Sequence, residues 1–373
     1  MDAALVYDGG TTIKIPKSMN QPCDDQLSGT PIENLGELSS RICYDSLGFD
    51  KDGKRLGRSA VKLHEHIMEV RNLSVYEHCN FTMRFTKAWN INRVLAACAN
   101  RKGIWVECKS QSTEITANIR AVIEWPRHTG NTNYCSRVNW LIGHALRRHL
   151  TQLAPNISQH LPEWEPAETG EDVRDFTPVE TELVPFNELT DDQAWISLWL
   201  YSSRGMTHEQ VRHRFAMSQR STRYVDEDNS PYITHPLVTK YLADPAVSES
   251  KRQWAQELIN QSTEADRKTY RLLVEDLQLY GTGMGLDKTN ARKQARGAAR
   301  GYLGNALASE MIYSAPISGW KWILSQRKNK LADAEIRQVY SPALEALKTS
   351  LYGDRFAHYR TVDSPDGIGT VLA

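Results

Sequence analysis

Ala194-Trp195-Ile196-Ser197-Leu198-Trp199-Leu200-Tyr201 is an apolar run that ends in Ser202-Ser203-Arg204-Gly205. Its length and its Trp and Ile content predict a buried strand entering a turn. Next, Thr207-His208-Glu209-Gln210 has the spacing of a capping box, in which the threonine oxygen accepts from a free amide and Gln210 reaches back. The short helix it opens carries Arg212-His213-Arg214, and the run continues Phe215-Ala216-Met217-Ser218-Gln219-Arg220-Ser221-Thr222-Arg223-Tyr224. On a helix Arg212 and Arg214 point to different sides, so they do not grip one group together. The Ser-, Gln- and Thr-rich half predicts a loop whose amides and hydroxyls face an anion. A phosphate-bearing ligand with a ring whose carbonyls need polarising suits such a place. A solvated basic face is the plain alternative.

Working outward, Cys79 to Phe85 alternates like a strand, and Leu63, Ile67 and Val70 recur at helical spacing, so residues up to about 85 predict a compact α/β unit. Residues 90–160 read as helix-rich, with Asn118–Trp125 and Val138–Leu150 as candidates. Residues 161–192 hold Glu163, Glu165, Glu168, Glu171, Asp172, Glu180 and Glu182 with four prolines, which predicts an acidic surface loop. Downstream, Lys251–Tyr280 places Trp254, Leu258, Ala265, Leu272 and Leu277 roughly on one face of a long helix or helix pair. Gly281-Thr282-Gly283-Met284-Gly285 lacks the G-K-[ST] of a phosphate loop and reads as a linker. A final helical region is expected over about 288–347. There Arg292, Arg296 and Arg300 stand four apart on one face. Like charges at that spacing repel by about 0.2–0.5 kcal/mol per pair unless an anion or an acidic neighbour sits there.

Composition narrows the function classes. The chain has 373 residues, 40% hydrophobic and 24% charged, with 45 basic and 45 acidic side chains. It can build a real core, and no net field draws it to nucleic acid or membrane. Met1-Asp2-Ala3-Ala4-Leu5 lacks a basic and apolar leader, and the chain has no apolar run near the roughly 18 residues of a membrane span. The six cysteines, Cys23, Cys43, Cys79, Cys98, Cys108 and Cys135, are scattered without a CxxC pair. Reduced thiols and a cytoplasmic location are therefore expected. His64 with His66, and His144 with His149, lack the spacing of metal ligands, so no metal site is expected.

Arg212-His213-Arg214, then Ser218-x-x-Ser221-x-Arg223-Tyr224, resembles the R-H-R-x-x-S-x-N-x-x-S-x-R-Y signature of the flavin-dependent thymidylate synthase family, one residue shorter in the middle. Upstream, Arg41-Ile42-Cys43-Tyr44 and Asn72-Leu73-Ser74-Val75-Tyr76-Glu77-His78 are similar to its R-V-S-F-like and H-x-[ST]-P-F-E-H elements. Downstream, Ala299-Arg300-Gly301-Tyr302-Leu303-Gly304, then Arg327 with Ala332-Asp333-Ala334-Glu335-Ile336-Arg337, are similar to its A-R-x-x-L-P and R-x(4)-A-Q-x-E-I-R elements. The pieces keep the family's order and skip residues 86–193, which the resemblance makes an insertion in a single domain spanning 1–373.

The resemblance implies an α/β fold, a central, mostly antiparallel sheet flanked by helices, with a helical insertion. It implies a homotetramer whose active sites draw on several chains. It implies transfer of a one-carbon unit from methylenetetrahydrofolate to C5 of dUMP, with FAD as cofactor and NADPH as reductant. Carried over by position, Arg327 is catalytic and sits at the uracil ring. Arg212, Gln219, Ser221, Thr222, Arg223 and Arg300 contact dUMP, while Ser74, Arg212, His213, Arg214 and Gln219 contact FAD. Departures stand at Pro316, Ser318, Trp322 and Leu331, where the family's flavin- and ligand-binding Asn, Arg and His are expected, and Asn118-Ile119-Arg120 offers an N-x-R elsewhere.

C5 of uracil is a poor nucleophile, and two remedies exist. A cysteine thiolate adds to C6, or fixed cations polarise the N3–O4 system. Pro22-Cys23-Asp24-Asp25 sets carboxylates beside a thiol and suits the first poorly, whereas the arginines suit the second. Two other outcomes stay open: C5 hydroxymethylation of a pyrimidine nucleotide, and a non-enzymatic nucleic-acid-binding protein. Zero net charge and few interleaved aromatics weigh against the last.

Overall fold

The computed structural model describes residues 1–10, 27, 29–47, 56–86, 98, 102–109, 112–125, 133–161, 163, 180–327, 332–364 and 369–372. Two four-stranded antiparallel sheets share one helix between them. In chain order the elements are β1 (Asp2–Tyr7), α1 (Pro31–Tyr44), α2 (Ala60–Glu69), β2 (Asn80–Thr86), β3 (Ile104–Cys108), β4 (Ser112–Asn118) and α3 (Ile119–Glu124). Then come α4 (Asn133–Leu153), α5 (Pro155–Ser158), β5 (Glu180–Leu183), β6 (Trp195–Ser203), α6 (Arg204–Gln210) and β7 (Ala216–Gln219). The remainder is α7 (Pro236–Ala243), α8 (Glu249–Gly283), α9 (Lys288–Ala299), β8 (Ala308–Pro316), α10 (Ile317–Arg327), α11 (Ala334–Lys348), β9 (Arg360–Asp363) and β10 (Gly369–Leu372).

The first sheet has the order β1-β6-β8-β7, the second β3-β4-β2-β5, and β9 pairs β10 as a hairpin. Side chains of β6 and β8 alternate, as a pleated strand requires. Leu198, Leu200, Met311 and Tyr313 join a core with Val339, Leu344 and Leu347 of α11, while Trp199 and Ile312 join the core around α1. That second core also takes Phe81, Met83 and Ile115 of the other sheet and Ile142, Leu146 and Leu150 of α4. Helix α1 is therefore enclosed on all sides, buried from Ile32 to Ile42. Its one arginine, Arg41, is fully buried, pairs with Glu37 at 2.8 Å, and donates to the carbonyls of Ser46, Leu56 and Arg58.

The α/β architecture matches the sequence reading, and so do the strand from residue 80, the buried strand β6, α2, α3 and α4. Several local readings are corrected. The helix after β6 begins at Arg204, capped by Ser203, whose side chain accepts from Met206 N. Thr207 lies inside it, its hydroxyl donating to the Arg204 carbonyl. Ala216–Gln219 forms β7, paired with β8, instead of a loop. The expected helix over 288–347 is broken by β8, and 86–193 supplies the three strands β3, β4 and β5 besides helices. Finally, α8 runs through Gly281 and Gly283 and turns only at Gly285, with φ +91°. Gly281 is kept by the close approach of α9, since a Cβ there meets Ala291 Cβ at 3.3 Å. Val70 sits at the exposed end of α2 and not on its packed face. Of the acidic stretch at 161–192, Glu165, Glu168, Glu171 and Asp172 lie outside the described residues. Among the described residues no helix is long and apolar enough to cross a membrane.

Candidate functional site

Helix α6, the turn after it and β7 hold most of the residues picked out from the sequence. After α6 a single 3-10 turn carries Val211–His213, and Arg214 closes it in the left-handed region at φ 62°. Residues with side chains seldom adopt this conformation, and it turns the chain sharply back into β7. Consequently Arg212, His213 and Arg214 point in three directions. Arg212 reaches outward, 74% exposed, with Glu209 at 3.8 Å. His213 turns in. Its Nε2 accepts from Arg327 Nε at 3.2 Å, and Trp322 meets its ring edge-on at 5.0 Å. Burial, and then the neighbouring Arg327, lowers its pKa to about 4, so the ring is neutral and carries its proton on Nδ1. That Nδ1 is buried and has no partner among the described residues. Arg214 is exposed and lines a cleft with Arg120, Trp195 and Phe215.

Arg327 ends α10, so its charge lies where the helix dipole favours a cation. Besides His213 it has Glu209 Oε2 at 3.4 Å, and its side chain is 18% exposed. Sequence neighbours do not create this group. Residues 209, 213 and 327 meet because β6, β7 and β8 hold α6 and α10 together.

A second group forms at the other end of α6. Gln219 Nε2 donates to Thr207 Oγ1 at 2.9 Å and to Ser309 Oγ at 3.0 Å. The Ser221 amide donates to the Cys43 carbonyl at 2.9 Å, and the Ser221 carbonyl accepts from Tyr224 and Val225, which makes a tight turn. Thr222 is buried beneath this turn, while Arg223 is exposed on it. Arg300, in the 3-10 turn after α9, is exposed, and its charge together with burial lowers the pKa of Arg204. Ser74 joins from upstream. Its hydroxyl donates to Asn72 Oδ1 at 3.3 Å, Asn72 donates to Tyr44 OH at 3.0 Å, and Tyr44 meets Tyr224 edge-on at 4.8 Å.

Some candidates have structural work instead. Arg220 is buried between Glu227 at 3.4 Å and Asp45 at 3.5 Å. Arg296 of the three-arginine stripe donates to the Tyr224 carbonyl and Asp226, which supplies the acidic neighbour. Asn118 caps α3, and Arg120 is paired with Glu77 at 2.7 Å and Glu124 at 3.2 Å. Ser318 is bonded to Asp192, and Trp322 is exposed beside His213. Leu331 lies outside the described residues. Arg204 was missed by the sequence reading. It is half-buried at the start of α6, and its guanidinium has no ion pair among the described residues. Its place directly after the capping Ser203 is the only signal the sequence offers.

Residues 194–351 match the family model described as thymidylate synthase complementing protein. The chain is 35% identical over 159 residues to a flavin-dependent thymidylate synthase of Mycobacteroides abscessus, covering 41% of this chain and 58% of that protein. It is 33% identical over 147 residues to one of Mycolicibacterium gilvum, covering 39% and 53%. It is 35% identical over 150 residues to one of Corynebacterium diphtheriae, covering 39% and 54%. The chain thus spans a little over half the length of the curated relatives it matches.

Proposed function

Because residues 194–351 match the family model of thymidylate synthase complementing proteins, we propose that this chain is a flavin-dependent transferase. It methylates C5 of dUMP, with methylenetetrahydrofolate as carbon donor and NADPH as reductant. The observation that carries the reading is the convergence of Arg327, Glu209 and His213, brought from opposite ends of the matched segment to one place. A guanidinium held there favours negative charge on N3 and O4 of a pyrimidine, which raises electron density at C5. Glu209 and His213 fix its direction before any ligand arrives. Exposed Arg223 and Arg300 take the phosphate, Arg300 standing close enough to half-buried Arg204 to disfavour its charge. Gln219 and Ser221 position the nucleotide between the two groups, and Thr222 supports the turn from below. A thiolate route has less support. Burial pushes Cys43 up to about 12 despite its hydrogen bond to Ser218, and burial raises Cys79 as well.

Flavin fits what the chain offers on the α10 side: an unpartnered buried N–H on His213, the exposed ring of Trp322, and outward-facing Arg212. Arg212 and His213 hold it there in this reading, while Ser74, Gln219 and Arg214, which stand in other surroundings within one chain, reach it across the shared sites of the homotetramer. Bound there, a reduced flavin would supply the hydride that completes a methyl group. The same reading takes 86–193 as an insertion in a single domain, a homotetramer with shared sites, and a cytoplasmic location. A hydroxymethyl product, formed when water takes the place of the hydride, is favoured by one observation: Ser318 is committed to Asp192 where the family holds its cofactor.

Purified protein tests the reading. A flavin absorption band, with release of tritium from C5-labelled dUMP, is expected. The mass of the product separates methyl from hydroxymethyl. Absence of flavin together with salt-sensitive retention on DNA replaces the enzyme with a nucleic-acid binder.

A further inference from the structure

We propose that His78 is a positioning residue, which through Ser218 fixes the strand end that presents Gln219 and Ser221 to the nucleotide. The proposal rests on the reading of those two residues as nucleotide contacts, and it adds a residue that touches no ligand. His78 closes the 3-10 turn Leu73–Glu77 and is buried. Its two ring nitrogens reach two strands of the first sheet. Nδ1 is 2.7 Å from Ser314 Oγ on β8, and Nε2 is 2.9 Å from Ser218 Oγ on β7. Ser314 in turn meets Ser197 Oγ at 2.5 Å, its direct partner across the ladder of β6 and β8. Ser218 also bonds the side chain of Cys43, near the end of α1. One chain of neutral hydrogen bonds thus ties three strands to a helix end.

Two observations separate this chain from ordinary core packing. Ser197, Ser218 and Ser314 are all buried, and every hydroxyl among them is bonded. Alanine would fill these places without the cost of burying a hydroxyl, whereas directional bonds set distance and angle as well as contact. Burial keeps the His78 ring neutral, so it donates to one serine and accepts from the other. The second observation concerns the far end of the same segment. Asn72 donates to Tyr44 OH at 3.0 Å, and Tyr44 meets Tyr224 edge-on at 4.8 Å. Between these two anchors the Ser221 amide donates to the Cys43 carbonyl, and Gln219 donates to Thr207 and Ser309. Residues 218–224 are therefore braced at both ends from residues 72–78, and His78 is the brace that bears on β7.

Asparagine and glutamine separate the two bonds of the ring. An asparagine amide reaches as far as Nδ1 and a glutamine amide as far as Nε2, and each both donates and accepts. His78→Asn therefore keeps Ser314 and drops Ser218, while His78→Gln does the opposite. Each loses one neutral bond, so both should lower the urea midpoint by similar amounts. dUMP is titrated into the purified protein at matched flavin content. Binding to His78→Asn should be weaker than wild type by about tenfold, the scale of one lost hydrogen bond, and His78→Gln should stay within about threefold. In ligand-free protein, deuterium exchange over residues 216–224 should be faster in His78→Asn and near wild type in His78→Gln. Ser218→Ala should reproduce His78→Asn, and the double variant should add nothing, as two halves of one contact require. That single-oxygen deletion carries the test if a His78 variant fails to fold. Equal dUMP affinity in His78→Asn and His78→Gln, or wild-type affinity in Ser218→Ala, leaves His78 a packing role and overturns the proposal, while the nucleotide reading stands. A wild type that binds no dUMP removes that reading instead; unequal exchange in the two variants then keeps His78 as the residue that positions β7, and equal exchange removes it.

Discussion

Arg327 is a catalytic candidate because of its neighbours more than its charge. Its guanidinium is held by a neutral histidine and a carboxylate, so its direction is set before a ligand enters. Arg327→Ala is therefore expected to cut tritium release from C5-labelled dUMP by roughly 100-fold or more, the scale of losing one preorganised donor. Circular dichroism should stay unchanged, since the side chain lies at a helix end; retained activity would move the role elsewhere. Buried histidines give a second residue-scale expectation. His78 bridges Ser314 at 2.7 Å and Ser218 at 2.9 Å, and burial lowers it to about 3. His64, bonded to Tyr76, and His213 are lowered to about 4, again chiefly by burial. Between pH 6.5 and about 4 the unfolded chain binds protons that the native chain refuses. Stability should thus be full above that window and fall with acidification, by about 1.4 kcal/mol per pH unit for each such histidine. Urea unfolding at stepped pH reads this, and a flat profile across the window would contradict the buried, neutral assignment.

At the scale of elements, the pivot is the junction of β6 and α6. Ser203 ends the strand and caps the helix, and both its N–H and its hydroxyl donate to the buried carboxylate of Glu335 on α11. Ser203→Ala removes the cap, worth ~1 kcal/mol, and takes one donor from a buried acid, which adds a similar amount or more. A loss of about 2–3 kcal/mol in chemical denaturation is expected; a change below ~0.5 kcal/mol would mean that α6 is held by packing alone. Capping-box spacing pointed instead to Thr207, because a box is read from residue types at fixed intervals. Sequence patterns do not reveal a cap that also serves a partner far along the chain, as Glu335 is for Ser203. Strand β8 escaped for a related reason. Ser309, Glu310 and Ser314 look solvent-facing, but each is buried and bonded across strands, Glu310 to Trp199 Nε1 at 2.8 Å and Ser309 to Gln219.

Over the whole molecule, α1 serves both sheets and α8 serves almost none of the core. Helix α8 has Tyr270 and Gly281 buried, yet Trp254, Leu258, Leu272 and Leu279 are 64%, 45%, 52% and 72% exposed. Positions 258, 265, 272 and 279 lie seven apart and form one stripe along the helix. The stripe is symmetric about its centre. An antiparallel second copy sets Leu258 against Leu279 and Ala265 against Leu272, the isologous pairing of a two-fold contact. The proposed homotetramer therefore predicts a multimer by light scattering, reduced in order by Leu272→Glu with Leu279→Glu. A monomeric wild type would remove that part of the reading.

By itself the sequence was enough for the class of fold and for picking out the residue types of the candidate site, because both are written locally. Apolar alternation marks β6, and the Arg212–Tyr224 run with Arg300 and Arg327 carries the family resemblance. Tertiary structure alone decided where each of those side chains points. The left-handed turn at Arg214 sends three adjacent residues to three surroundings, with His213 joined to Arg327, and the fold around the next strand buries Arg220 with acids. Segment 86–193 shows the same limit: β4 and β5 add to β2, and β3 to β4, by backbone hydrogen bonds, which depend on what lies alongside and leave no trace in residue order.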